Sequence, residues 1–357
     1  MTETIHHAIP APMTNPLESL GWSAHFAHQW QPAPDDARHP ARITEVHRDR
    51  LDAITPNGTI RLTLPTNISA GDCAVGDWVL VNPDLEVDCL LDRQTLLSRR
   101  AAGTDARVQL IAANVATLFV TSSCNADFNP ARIERYLAMS HEAGCFPVLL
   151  LTKADTADDP QDYVKQGEKL DTLLPVLAID AHDPNDLAKV AAWCKPGQTA
   201  ALVGSSGVGK STVTNGLTGD TLATAEVRTS DAKGRHTTTS RTLRAMINGG
   251  WLIDTPGMRA VPLSDASDGI EAVFGDISEL TGHCKFSDCA HESEPGCAVQ
   301  AAVMAGTIDQ DRFARWKKLL AEEAHNTTSL ADARKKDRAR EKTYSAGKAR
   351  SKAKRGG

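Results

Sequence analysis

The sequence predicts an α/β fold built on a doubly wound parallel sheet, with a small β-barrel before it and a metal-holding helical segment after it. Three observations carry this. From Asn114 onward apolar strands alternate with amphipathic helices, the pattern of a parallel sheet covered on both faces. A glycine-rich loop, Gly204-Ser205-Ser206-Gly207-Val208-Gly209-Lys210-Ser211, joins the buried run 199–203 to a helix over 211–217. Near the C-terminal end, Cys284, Cys289, His291 and Cys297 fall within fourteen residues.

The elements follow in order. At 357 residues the chain is long enough for two or three domains. Residues 1–38 form an extension rich in Pro, His and Ala, in which only 17–30, with Leu17, Trp22 and Phe26, is equipped to dock. Residues 39–98 carry short alternating strands at 42–46, 59–64 and 77–81, separated by turns at Pro56-Asn57-Gly58 and Val75-Gly76-Asp77; this predicts a small β-barrel. The sheet domain is expected over 99–268. It includes a helix at 132–142 with Ile133, Tyr136 and Leu137 on one face. A helical, metal-holding domain is expected over 269–330, ending in an amphipathic helix at 309–323. Its stripe of Phe313, Trp316, Leu319 and Leu320 is read as core packing rather than a partner groove. A basic tail, disordered in isolation, occupies 331–357.

Charge is divided unevenly. Residues 334–357 hold eleven Lys/Arg against two acids, a net of +9, which leaves −15 on the other 333 residues for a total of −6. Such a tail suits RNA phosphates through counterion release; a merely solubilising tail is the plainer alternative. No apolar run reaches membrane length. The remaining five cysteines are scattered singly and no leader is recognised before them, so a reducing, cytoplasmic compartment is expected rather than a disulfide framework.

The glycine-rich loop has the context its chemistry needs. Glycines at 204, 207 and 209 let backbone N–H groups wrap an anion, and the helix N-terminus adds its positive end. Lys210 is placed to reach β/γ-phosphates, Ser211 to ligate Mg²⁺, and Ser205, Ser206, Val208 and Thr212 complete the nucleotide-contacting stretch. About forty residues later, Asp254-Thr255-Pro256-Gly257 ends an apolar strand. Asp254 suits Mg²⁺ held through water, and the Gly257 N–H suits a γ-phosphate. Thr152-Lys153-Ala154-Asp155 follows a buried strand about fifty residues before the loop. A carboxylate at Asp155 accepts from guanine N1–H and N2–H₂ and repels adenine N1. Lys153 can pack over the base, and the Ala181 N–H, in the turn Asp180-Ala181, can meet guanine O6. Base-reader, second base turn, phosphate loop, switch and D-x-P-G therefore run in the order of a circularly permuted GTPase. The Cys₃His set suits one closed, tetrahedral, structural zinc.

These motifs, with the switch Gly234-Arg235-His236-Thr237-Thr238-Thr239, make the chain resemble the ribosome small-subunit-dependent GTPase family, RsgA, over roughly residues 40–325. The resemblance implies an N-terminal OB-fold, a permuted GTPase domain and a C-terminal zinc domain. It also implies GTP hydrolysis stimulated by the small (30S) ribosomal subunit, a role in late maturation of that subunit, contact with its 16S rRNA, and a monomer with no membrane partner. The chain departs from the family pattern at Thr152, where Asn is usual, at Asp180, where Ser is usual, and at Ala116, where Asp is expected. The residue after D-x-P-G is Met258, where Ras-like enzymes place a water-orienting Gln. His236 is the candidate to serve the water instead, against a reading in which it only caps a loop or contacts RNA. One of Thr237, Thr238 and Thr239 is expected on Mg²⁺. Two other function classes stay open: an ATPase or small-molecule kinase using the same loop, and a zinc and RNA-binding module with a vestigial nucleotide site.

Overall fold

The computed structural model describes residues 15–100, 108–220, 241–255 and 266–328. The switch candidates His236, Thr237, Thr238 and Thr239, together with Gly257, Met258 and the basic tail, lie outside the described residues.

The N-terminal segment docks as its aromatics suggest. Helix α1 (Ala24–Gln29) sets Phe26 against Trp78, and Trp22 meets Trp78 edge-on with ring centroids 4.8 Å apart. Strands β1 (His39–Val46), β2 (Leu51–Thr55), β3 (Gly58–Leu62), β4 (Trp78–Val81) and β5 (Val87–Leu90) form an antiparallel sheet in the order β3-β2-β1-β4-β5. Its two edges meet. Backbone bonds between Thr63 and both Leu85 and Val87, at 3.0 and 3.1 Å, close the sheet into a barrel. Closure removes the unpaired edges that an open five-stranded sheet would expose. Ala41, Ile43, Leu51, Ala53, Leu62, Val79, Val81 and Val87 fill the interior. A hairpin of β6 (Leu96–Arg100) and β7 (Val108–Ala113) leads out of the barrel. The boundary expected at 98/99 falls within β6.

The central sheet has six strands: β8 (Thr117–Ser123), β9 (Phe146–Thr152), β10 (Val176–Ala178), β11 (Thr199–Gly204), β12 (Thr242–Ala245) and β13 (Trp251–Asp254). Their order is β10-β9-β8-β11-β13-β12, parallel except for the edge strand β12. Both faces are buried by alternate residues. Leu118, Val120, Leu149, Leu151, Ala201 and Val203 share one core, while Phe119, Val148, Leu150, Ala200 and Leu202 share another. This explains the continuous apolar runs. Helices α2 (Pro130–Glu142), α3 (Pro160–Glu168), α4 (Pro184–Ala191) and α5 (Lys210–Thr218) connect the parallel strands. Asn129, Asp159 and Asp183 cap the first three of these, each followed by proline in the first turn, the residue pair that satisfies and pre-orients a helix start.

Helices α6 (Ser267–Val273), α7 (Gly275–Thr281), α8 (Ala298–Met304) and α9 (310–328) complete the described chain. The boundary expected at 268/269 falls inside α6, which lies against α2. A Cβ on Gly269 would stand 2.1 Å from the Ala138 carbonyl oxygen, so only glycine permits this approach. Phe313, Trp316 and Leu319 of α9 are buried in the same core as α2. Among the described residues no helix is long and apolar enough to cross a membrane.

Candidate functional site

Strand order fixes where a ligand sits. Connections from β8 run to one side, through β9 to β10, and those from β11 to the other, through β13. The reversal lies between β8 and β11, and ligands of doubly wound sheets bind beyond the strand carboxyl ends at that point. The phosphate loop leaves β11 there. Gly204 ends the strand at φ +149, and a Cβ on it would lie 2.2 Å from the Thr121 carbonyl oxygen. The loop can therefore nest against β8 only because residue 204 has no side chain. Gly209, at φ +89, begins α5.

The predicted residues gather at this edge. Lys210 bends back so that its Nζ donates to the Gly204 carbonyl at 2.9 Å and to the Ser205 carbonyl. Asp254 lies at the end of β13, in register with Leu202. Burial pushes its carboxyl above the usual range, against the pull of the Lys210 and Arg244 charges. A cation at this site would offset that cost. Thr255 locks the strand end by donating its hydroxyl to the Leu202 carbonyl. Ser211 is exposed in the first turn of α5, and Ser206 and Gly207 are exposed on the loop.

The base-reading tetrad stands beside them at the end of β9. Thr152 is buried, and its hydroxyl lies 2.6 Å from the Val208 carbonyl oxygen and 3.1 Å from that of Ser122. The two loops are thus joined. Lys153 adopts φ +60, ψ +31, a conformation uncommon for a side-chain-bearing residue and frequent at functional sites. Ala154 N–H donates to the Ile179 carbonyl at 3.2 Å, which places the turn at Asp180-Ala181 against the tetrad. Asp155 is exposed. Asp180 turns its carboxylate back to accept from the His182 N–H at 2.8 Å. Ala116 stands elsewhere. It bonds Thr199 and Phe146 at the amino ends of β11 and β9, a strand length of roughly 20 Å from the loops, so its departure from the family pattern has no direct bearing on nucleotide affinity.

One residue at the site escaped sequence reading. Arg132, in the first turn of α2, donates from Nη1 to the Ser205 hydroxyl at 2.6 Å, across 73 positions of chain. No local motif announces such a contact.

The second cluster is compact. The ligating atoms of Cys284, Cys289, His291 and Cys297 all lie within 4.8 Å of one another. Cys284 Sγ is 3.9 Å from Cys297 Sγ and 3.6 Å from His291 Nδ1, which is 3.4 Å from Cys297 Sγ. A tetrahedron with Zn–S of about 2.3 Å and Zn–N of about 2.0 Å has edges of about 3.5–3.8 Å, so donor chemistry and spacing both fit zinc. Cys297 caps α8 and accepts from the Gln300 N–H at 3.4 Å. Burial lowers the His291 pKa, favouring the neutral imidazole a metal requires. The His291 ring packs 5.5 Å from that of Trp316, tying the cluster to α9.

Fold and site together define a circularly permuted P-loop GTPase carrying a C-terminal Cys₃His module. A family model described as RsgA GTPase matches residues 90–264. The "small ribosomal subunit biogenesis GTPase RsgA" of Mesorhizobium japonicum is 52% identical over 316 residues, covering 87% of this chain and 91% of that protein. A second, the "small ribosomal subunit biogenesis GTPase RsgA 2" of Vibrio parahaemolyticus, is 45% identical over 326 residues, covering 91% and 90%. Among solved structures, YjeQ from Thermotoga maritima aligns with a TM-score of 0.59 at 24% identity, over 80% of this chain and 98% of that one. YloQ, described as a circularly permuted GTPase, aligns at 0.57 and 20% identity, over 84% and 99%; these two likenesses speak to the fold. The chain belongs to the RsgA GTPase family.

Proposed function

We propose that this chain hydrolyses GTP in the biogenesis of the small ribosomal subunit, the role its relatives' names carry, with turnover stimulated by that subunit. The observation that carries the reading is the Thr152–Val208 contact. It fastens a base-reading loop to a phosphate loop that the chain reaches only later. Asp155 selects guanine, and Ala181 supplies a backbone donor to its O6. Lys210 leaves the loop carbonyls for the β/γ-phosphates. Magnesium, bound with the nucleotide, neutralises charge on the phosphate oxygens; Ser211, Asp254 and one of Thr237, Thr238 and Thr239 would hold it. Gly257 senses the γ-phosphate. With Met258 unable to orient water, His236 takes that role in the subunit-bound protein. Cys284, Cys289, His291 and Cys297 hold one structural zinc. The closed barrel is read as OB-type, and it and the basic tail form RNA-binding surfaces toward 16S rRNA. The protein works as a cytoplasmic monomer.

GTP turnover measured with and without purified small subunits tests the reading: a large stimulation is expected, and no turnover in either condition would leave a vestigial site. ATP should fail to displace bound GDP, and Asp155→Asn should shift preference toward xanthine nucleotides. Displacement by ATP as effective as by GDP would return the chain to the ATPase or kinase class.

A further inference from the structure

Helix α2 brings a second cation to the phosphate loop. Arg132 donates to the Ser205 hydroxyl at 2.6 Å, while Lys210 Nζ lies on the Ser205 carbonyl. Two side chains, one from α2 and one from α5, thus converge on the second residue of the loop. The acceptors just named, a hydroxyl and a carbonyl, are neutral. A nucleoside triphosphate entering the loop offers both cations charged oxygens, and hydrogen bonds between charged partners are shorter and stronger than those to neutral ones.

Arg132 is also held in place beforehand. The Asn129 side chain caps the turn that carries it, accepting from the Arg132 N–H at 3.0 Å. Two residues further on, Glu134 is fully buried and paired with Arg315 at 2.7 Å and Arg312 at 3.4 Å, both on α9. Arg135 pairs with Glu322 of α9. Gly269 lets α6 press directly on the α2 backbone. An arginine mounted on an element fixed from several sides incurs little ordering cost when it meets a ligand.

We propose that Arg132 is a phosphate-contacting residue of the nucleotide site: a cis-acting arginine that turns from the Ser205 hydroxyl to the nucleotide's phosphates and favours the triphosphate over the diphosphate. The proposal rests on the GTPase reading above. Its guanidinium would stabilise charge on the equatorial oxygens of the transferring phosphoryl group, a task that in several GTPases falls to an arginine supplied in cis or in trans.

The test uses the full-length protein with Mg²⁺ and compares wild type, Arg132→Ala and Arg132→Lys. Equilibrium binding of GDP and of a non-hydrolysable GTP analogue is read beside single-turnover GTP hydrolysis. Arg132→Ala should weaken triphosphate binding or slow hydrolysis by about tenfold or more while changing GDP affinity by less than about threefold, as expected for loss of a charge-assisted contact. Arg132→Lys should recover part of the loss, since it keeps the charge but not the fork. Equal losses for GDP and the triphosphate, or no loss for either, would overturn the proposal, because Arg132 would then merely shape the loop or stand apart from the phosphates. Wild type that fails to bind GTP would instead sink the GTPase reading itself.

Discussion

Where the barrel meets the central sheet, Arg42 is buried against neutral oxygens; where α9 meets α2, Arg312 and Arg315 are held by a carboxylate. Arg42 is 1% exposed. It donates to the Leu20 carbonyl at 2.6 Å, the Thr199 hydroxyl at 2.5 Å and the Gly76 carbonyl at 3.4 Å, with its guanidinium 5.9 Å from the Trp78 ring centre. The neighbouring carboxylate, Asp77, is engaged by Arg93 at 2.7 Å. Burial therefore brings the Arg42 pKa down to about 10. At the other seam Glu134 is wholly buried between Arg312 and Arg315, and burial raises its pKa against their pull. Arg312 further binds Asp276 at 2.8 Å and lies over Phe274 at 4.7 Å. The first seam spreads one charge over dipoles. The second concentrates opposite charges around one fully buried carboxylate, where removing a partner leaves charge less compensated.

The contrast can be broken from its strongest point downward. Zinc removal should act most, since structural sites contribute roughly 10 kcal/mol or more to folding. A chelator should raise amide exchange across 298–304 and 310–328 while β1 to β5 stay protected; uniform protection after metal loss would separate the Cys₃His cluster from the stability of α9. Glu134→Ala should cost about 3–5 kcal/mol in denaturant unfolding, because Arg315 loses this carboxylate and Arg312 keeps only Asp276 of its two. Arg42→Met should cost less, about 1–3 kcal/mol, since it leaves neutral acceptors unpaired rather than charges. A larger cost for Arg42→Met than for Glu134→Ala would reverse the contrast. Arg135→Ala should cost under about 1 kcal/mol by the same measurement, because its partner Glu322 and Arg135 itself are both about a quarter exposed.

The sequence was most legible where chemistry is local. The phosphate loop, the Asp254 strand and the Cys₃His set each declare themselves within fourteen residues or fewer, because their ligand-facing groups must be close along the chain. The two-faced burial of β9 could be read from Val148, Leu149, Leu150 and Leu151. Docking of Trp22 and Phe26 was legible from apolar residues in an otherwise Pro- and Ala-rich extension. The seams were not. A pattern that places Ile133, Tyr136 and Leu137 inward assigns Glu134 to solvent by its charge, and the structure buries it because Arg315 arrives from 181 positions away. Arg42 begins the strand expected at 42–46, and nothing in that pattern signals its contact with Thr199 across 157 positions. Arg132 carries the same lesson into the site: hydrophobic period predicts which helix face is inward, but not which polar side chain will find a partner there.

The Thr152 brace has a kinetic consequence. A hydroxyl has one proton, and two carbonyl oxygens, of Val208 and Ser122, lie within its reach at 2.6 and 3.1 Å. An amide at that position would bring two protons and could hold both at once. The halves of the pocket that grip base and phosphates are therefore coupled through a single shared proton, and each can relax without fully dragging the other. A bound nucleotide is then expected to depart by loosening one end first, which predicts short residence and fast spontaneous exchange. Thr152→Asn should lengthen GDP residence several-fold in a stopped-flow chase, in keeping with one added neutral hydrogen bond of about 1 kcal/mol; an unchanged release rate would show that the two halves already move as one.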